Sequence, residues 1–360
     1  MTYVAKAQSE VTGTTKQGGM MGTSTKTAGR GAVDVLKGKR IAVVYGAVSE
    51  EDGLYIRNVP RDQWSLTHIM ETLWELGLSA EHIDPTSPDF AEKVRLFDVA
   101  FLNVHGPFGE DGRIQGLLDY LAVPYTGSGV LAGSIGMDKL ASKAVFAYLG
   151  IAVPRGIPIL GSAGAQVPSD FPFPAMLKAV DGGSSVGMAL VREEAGLSEE
   201  IRKLRDRGFE RLFLEEYIDG RSMTVSVIGR EPGPIALPSL EFVTESDYYD
   251  ESTKLGGAGA PSVEYRVPED LPAHVNQAMS DGAKRVFEFL ACSGAIRVDY
   301  MVDTVGTPYA LEVNTIPGLQ QHSNLPVSCS HAGISYSDLL VELLTEALAS
   351  AKPMPWGVTS

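Results

Sequence analysis

Glu312 and Asn314 put a carboxylate and a side-chain amide two positions apart in the apolar segment LEVNTIPGLQQHS (311–323), which Pro317-Gly318 then halts. The segment AIRVDYMVD (295–303) repeats the device with Arg297 and Asp299. Alternate side chains of a strand share a face, so each pair projects together while the apolar residues between them face the other way. The stretch Thr304–Thr307, with Gly306 available for a positive φ, predicts a hairpin turn that brings all four polar groups onto one surface. Three oxygen donors that leave room for water are what Mg²⁺ prefers. Two such ions suit a nucleoside triphosphate. A solvated sheet face is the competing reading of the same alternation.

A second constellation is KAVDGGSSVGM (178–188). Lys178 ends the apolar run PAML, where an unpaired ammonium is costly, so it requires an anion or must reach out to water. The loop after it offers Gly182, Gly183 and two serines, which permit close backbone approach and supply several donors. Together they describe a phosphate cover; a plain hairpin turn is the alternative. No GxxxxGK[ST] occurs, and GSGVLAG (127–133) has GxGxxxG rather than GxGxxG spacing, so neither a P-loop nor a dinucleotide fold is supported. His105-Gly106 follows the apolar run DVAFL, and ligands of open α/β sheets sit beyond the carboxyl ends of strands. A lone histidine is also a common structural residue.

These groups need a frame, and the chain alternates strand and helix patterns where they occur. RIAVVYG (40–46) and DVAFLNV (98–104) read as buried parallel strands, with helices over QWSLTHIMETLWELG, near 113–121 and from Asp138 to about Gly150. From PAMLKAV (174–180) the pattern turns to RLFLEEY, MTVSVIG and GPIALPSLEF between polar loops, which predicts an antiparallel sheet. A helix near 270–290 aligns Val275, Met279, Ala283, Val286, Phe287 and Leu290. The last helix carries Leu339, Leu340, Leu343, Leu344 and Leu348. Residues 1–38, rich in Thr, Gly, Ser and Lys, show no sustained periodicity and read as a tail.

Composition narrows the function classes. With 44% hydrophobic and 21% charged residues among 360, the chain reads as globular with room for two or three domains. No run approaches the roughly 18 apolar residues of a membrane span, and the first residues hold no signal-peptide core, so a cytoplasmic location is expected. A formal charge of -15 argues against nucleic acid as a general partner. An anionic small molecule then needs a local cationic pocket. Cys292 and Cys329 are too few and too far apart for a disulfide framework or a cysteine zinc site.

The stretches HGPFGEDGRIQGLLDYLAVPYTGSGVLAGSIGMDKLASK, LKAVDGGSSVGM and RVDYMVD…LEVNTIPGLQQHS resemble the D-alanine:D-alanine ligases of the ATP-grasp superfamily, in the right order from about 40 to 350. The resemblance implies an α/β protein with α+β elements: a three-domain ATP-grasp ligase whose N-terminal domain is an open parallel sheet. The expected division is a tail at 1–38, an N-terminal domain at 39–137, a central domain at 138–222, a C-terminal domain at 223–352 and a short tail at 353–360. ATP would lie between two sheets with two Mg²⁺ ions, for which Mn²⁺ could substitute.

Carried over by motif, Asp299, Glu312 and Asn314 would hold the metals, and Lys139, Lys178 and Lys254 the phosphates. Glu215 would lie near the adenine, with Glu216, Ser184 and Ser185 grouped around the nucleotide. Arg297 and the Gly318 N–H would form an oxyanion site, and Ser323 would bind the second substrate's carboxylate. Glu51 and Ser184 would anchor the first substrate's amine, near His105. Covers at 181–187 and near 250–262 would keep water from an acyl phosphate. The substrates would be small amino acids and the protein a homodimer.

The chain departs from the family pattern at several places. Leu255 stands where a tyrosine is common, Asn324 where a leucine is common beside the serine, and Ser222 where a ribose-contacting glutamate is usual. EEDGLYIRNVPRDQW replaces a shorter stretch after the first strand. These changes keep open a specialised peptide or depsipeptide ligase of a secondary-metabolite or resistance pathway beside the cell-wall enzyme. A non-catalytic ATP-binding module is the third reading.

Overall fold

The computed structural model describes residues 30–160, 167–182, 187–243 and 264–350, and of Arg30, Glu50 and Glu51 only their place in a helix. The chain enters through helix α1 (Arg30–Leu36) and strand β1 (Arg40–Val44), which β2 (Ser79–Ile83) and β3 (Val99–Leu102) flank in a parallel sheet of order β2-β1-β3. The aliphatic and aromatic runs of β1 and β3 are buried, as parallel strands covered on both faces must be. Around them lie α2 (Glu50–Asn58), α3 (Ser65–Glu75), α4 (Phe90–Val94) and α5 (Arg113–Leu121). Leu66, Ile69, Met70 and Leu73 recur at helical spacing and turn α3 onto the sheet.

Helices α6 (Val130–Met137) and α7 (Lys139–Tyr148) lead into an antiparallel sheet of β4 (Gly156–Ile159), β5 (Ala175–Ala179), β6 (Met188–Val191) and β7 (Leu212–Glu216), ordered β4-β7-β5-β6. Its core is closed by Leu197, Ile201 and Leu204 of α8 (Leu197–Asp206). The larger sheet holds β8 (Gly220–Ile228), β9 (Ile235–Ala236), β10 (Leu240–Val243), β11 (Glu264–Arg266), β12 (Ala295–Asp303) and β13 (Pro308–Asn314), in the order β11-β10-β8-β12-β13 with β9 on β8. Helix α9 (Ala273–Phe289) lays its stripe of Val275, Met279, Ala283, Val286 and Phe287 against this sheet, the face expected from its spacing. Helices α10 (Asn324–His331) and α11 (Tyr336–Ala349) end the described chain.

The stretch read as a tail, 1–38, ends in structure: α1 falls inside it, and Leu36 is fully buried. The cause lies far along the chain. Leu36 shares one core with Leu339, Leu340 and Leu344 of α11 and with β1 and β3, so the last helix packs on the first sheet. GSGVLAG is likewise a packing element. Gly129 precedes α6, and a Cβ on Gly133 would stand 2.9 Å from the carbonyl oxygen of Glu110.

Candidate active site

Strands β12 and β13 pair antiparallel with Arg297 opposite Asn314 and Asp299 opposite Glu312, so the four polar groups share one face as the alternation predicts, while a bulge between Asp299 and Tyr300 shifts the register by one residue. Gly306, at φ 90°, makes the turn. On this face Arg297 donates to both oxygens of Asp299, Nε to Oδ1 and Nη2 to Oδ2, each at 2.8 Å. The neighbouring strand adds Thr224, opposite Asp299 in register, whose hydroxyl donates to Asp299 Oδ1 at 2.7 Å. Asn314 Oδ1 accepts the Ile316 N–H at 2.8 Å and so tightens the turn after the strand.

Glu312 meets Lys139, whose Nζ is 3.1 Å from Oε2. Lys139 opens α7 directly after its N-cap, Asp138, whose side chain accepts the Ala141 N–H at 2.9 Å. Its N–H donates to the Val180 carbonyl at 3.0 Å and its ammonium to the Gly182 carbonyl, so Lys139 joins the end of β5 to the hairpin. Burial alone would raise the Glu312 carboxyl, but Lys139 and then Arg297 hold it down at about 2.

The anion that Lys178 requires is Glu215: Nζ donates to Oε2 at 2.5 Å. Sequence reading missed the third member, Lys143, which pairs with the other oxygen of Glu215. The available signal was the spacing Lys139/Lys143, one helical turn. Burial pushes the Glu215 carboxyl up, and Lys178 and Lys143 more than offset it, so its net direction is down. Burial lowers the Lys143 ammonium, with Glu215 opposing. The two lysines together hold both carboxylate oxygens of Glu215. Glu216 projects to the opposite face of β7, as strand alternation requires, and accepts the Arg155 N–H at 3.3 Å. It does not join the group.

His105 follows β3, and the acid it meets is Asp52, one residue past Glu51. The His105 N–H donates to Asp52 Oδ2 at 3.2 Å, and Nδ1 lies 3.3 Å from Oδ1. Asp52 is buried, and its own N–H caps on the Ser49 hydroxyl at 3.1 Å. Gly318 and Ser323 lie side by side at the start of α10: a Cβ on Gly318 would stand 3.4 Å from the Ser323 hydroxyl oxygen. Asn324 is buried next to it, with Oδ1 accepting the Leu325 N–H at 3.0 Å. Ser184, Ser185, Lys254 and Leu255 lie outside the described residues.

In a chain of net charge -15, Lys139, Lys143, Lys178 and Arg297 thus gather around Glu215, Asp299 and Glu312. Among the described residues no three His, Cys, Asp or Glu side chains converge. The oxygen groups on the hairpin face, two carboxylates and one amide, are of the kind a hard divalent ion takes.

Comparison with known proteins gives this arrangement its context. The family model described as D-ala D-ala ligase N-terminus matches residues 28–128, and that described as D-ala D-ala ligase C-terminus matches 159–345. The D-alanine–D-alanine ligase of Syntrophotalea carbinolica is 36% identical over 319 residues, 87% of this chain and 97% of the relative. That of Anaeromyxobacter dehalogenans strain 2CP-1 is 39% identical over 319 residues, 87% of this chain and 98% of its own. Among solved structures, D-alanine–D-alanine ligase from Bacillus anthracis superposes with a TM-score of 0.72 at 31% identity, covering 86% of this chain and 98% of the other. The same enzyme complexed with ATP gives 0.70 at 30%, with the same coverage. The architecture is that of the ATP-grasp proteins. The chain belongs to the D-alanine–D-alanine ligase family.

Proposed function

We propose that this protein is an ATP-dependent ligase that joins two amino acids, of the D-alanine type, through an acyl phosphate. The observation that carries the reading is the β12–β13 register, which sets Arg297, Asp299, Glu312 and Asn314 on one face beside Lys139. The carboxylate of the first amino acid takes the γ-phosphoryl group of ATP and releases ADP. The amine of the second attacks the acyl carbon, the tetrahedral oxyanion collapses, phosphate leaves and the amine loses a proton.

Lys139 and Lys178 neutralise phosphate charge, and Lys254 is assigned the same task. Arg297 and the Gly318 N–H face the oxyanion, and Ser323 holds the acceptor carboxylate. Glu51, with Ser184 and His105, anchors the first amine, and Asp52 fixes the imidazole of His105. Asp299, Glu312 and Asn314 would hold two Mg²⁺ ions, which neutralise phosphate oxygens when bound; Mn²⁺ has the same ligand preference. Glu215 and Ser185 belong to the nucleotide side in this reading, and Lys143 keeps Glu215 ionised; Glu216, on the opposite face of β7, is left out of it. The domain division at 39–137, 138–222 and 223–352, a homodimeric state and a cytoplasmic location complete it. No helix of the described residues is long and apolar enough to cross a membrane.

A second reading, a ligase for a different amino-acid pair, is favoured by Asn324, a buried amide beside Ser323 where the family commonly has leucine. Purified protein with ATP, Mg²⁺ and a panel of D- and L-amino acids tests both. Phosphate release with D-alanine and a mass spectrum of the dipeptide support the first; product from another pair alone supports the second. Silence across the panel overturns both and leaves an ATP-binding module.

A further inference from the structure

Ser323 occupies the N-cap of α10, with extended backbone (φ -76°, ψ 160°), yet its side chain does not cap the helix. A serine there ordinarily accepts the N–H of the second or third helical residue. Here the third is Pro326, which has no N–H, and the N–H of the second, Leu325, goes to Asn324 Oδ1 at 3.0 Å. The Ser323 hydroxyl is thereby spared for another partner, and that partner is Gln320. Ser323 Oγ donates to Gln320 Oε1 at 2.7 Å.

The same amide oxygen lies 2.8 Å from the point where a Cβ on Gly318 would stand, so the Gln320 side chain folds back over Gly318. The Gln320 side chain also interacts with the hydroxyl of Tyr55 on α2, which donates to the Gln63 carbonyl at 3.1 Å. Gln320 thus lies between Ser323 and the Tyr55 side chain of α2.

We propose that Gln320 is a positioning residue of the acceptor site: its amide oxygen holds the place of an acceptor carboxylate oxygen on Ser323, and the acceptor binds by displacing it. The inference rests on the assignment of Ser323 to the acceptor carboxylate. An amide oxygen is the neutral counterpart of a carboxylate oxygen, and a hydroxyl has one proton to give, so the two compete for it. Displacement also releases Gln320 toward Tyr55, which links the acceptor clamp to the helix that carries Glu51 and Asp52.

Steady-state kinetics on Gln320→Ala and Gln320→Glu test this in the full chain, after the unsubstituted protein has been shown to release phosphate with an amino-acid pair. No release with any pair defeats the ligase reading itself. Given release, Gln320→Ala removes the competitor, so the acceptor KM should fall about two- to tenfold, the range of one exchanged hydrogen bond. The ATP KM and kcat should stay within about twofold of the starting protein. Gln320→Glu places a like charge in the clamp, and the acceptor KM should rise at least about tenfold. An acceptor KM unchanged or raised in Gln320→Ala, with the ATP KM intact, overturns the proposal. Should that variant fold poorly, Tyr55→Phe frees Gln320 from its outer contact, and the acceptor KM, read against the ATP KM, must then shift while the latter holds.

Discussion

Lys139 and Lys143 lie one turn apart on α7, and each engages a carboxylate of a different sheet: Lys139 is 3.1 Å from Glu312 on β13, while Lys143 pairs with Glu215 on β7. The helix is thus a strut whose two ammonium groups fix the spacing between the sheets. Both lysines are largely shielded from water, so the pairs act at close quarters rather than through a screened surface.

Lys143→Met should destabilise the fold by about 2–3 kcal/mol, less than the roughly 3–5 for stripping a buried ion of its only partner, because Lys178 remains on Glu215. Glu215→Gln leaves two buried ammonium groups against a neutral amide and should cost more, about 3–5 kcal/mol. Urea unfolding of the two variants checks the order. A Lys143→Met protein as stable as the parent would mean that Lys178 alone satisfies Glu215.

Lys143 also marks where sequence reading stopped. The hairpin and the shared face of its polar groups were legible from alternation and the Gly306 turn, but its register was not: the turn alone sets Asp299 against Leu311, and a bulge between Asp299 and Tyr300 shifts the pairing by one residue and brings Glu312 opposite. Helix α9 was legible from its apolar stripe. Strand β2 was not: as an edge strand it buries only Ile83 fully, and SAEHI shows no alternation. Helix α1 was hidden because its cover, α11, is some 300 residues away in the chain. Asp52, Thr224 and Lys143 each require knowing which strand or helix lies opposite, which composition and local period do not carry.

Arg297 offers a test of geometry against charge. Its guanidinium makes a two-pronged contact with Asp299, and Asp299 keeps its place partly through Thr224. If Arg297 meets the oxyanion, Arg297→Ala should lower kcat by roughly 10²–10³-fold, the usual effect of removing one such donor. Arg297→Lys should recover little, because an ammonium cannot hold Asp299 with two parallel bonds while presenting a further donor. Rates at saturating ATP and amino acid read this out; full activity in Arg297→Lys would reduce the residue to a charge.

Thiol chemistry reports on the cores. Cys292 and Cys329 are both buried and free. Burial pushes the Cys292 thiol up to about 11 and the Cys329 thiol up to about 12. At pH 8 both are protonated and inaccessible, so a thiolate-directed reagent should label neither in the native protein and both in denaturant. Labelling of either residue at a rate near that of a free thiol in native buffer would show that the core around it opens.

The Glu312 carboxyl supplies a pH dependence whose sign is fixed by its surroundings. It is held at about 2 against an ordinary 4.5, by Lys139 and Arg297 acting against burial. A carboxyl depressed in the folded state binds fewer protons there than in the unfolded chain, so it stabilises the fold fully above about 4.5 and loses that contribution as pH falls toward 2. About a third of the side chain is open to solvent, so the contribution is moderated by screening. Glu312→Gln removes the titration but keeps the shape. The stability difference between parent and variant should therefore be flat from pH 7 to about 5 and shrink between about 4.5 and 2. Urea midpoints for both proteins at pH 6, 4 and 3 measure it, and the common titration of all other groups cancels in the difference. A gap that widened on acidification would place Glu312 among groups that prefer to be protonated in the fold, which contradicts its pairing with Lys139 and its fitness to hold a divalent cation.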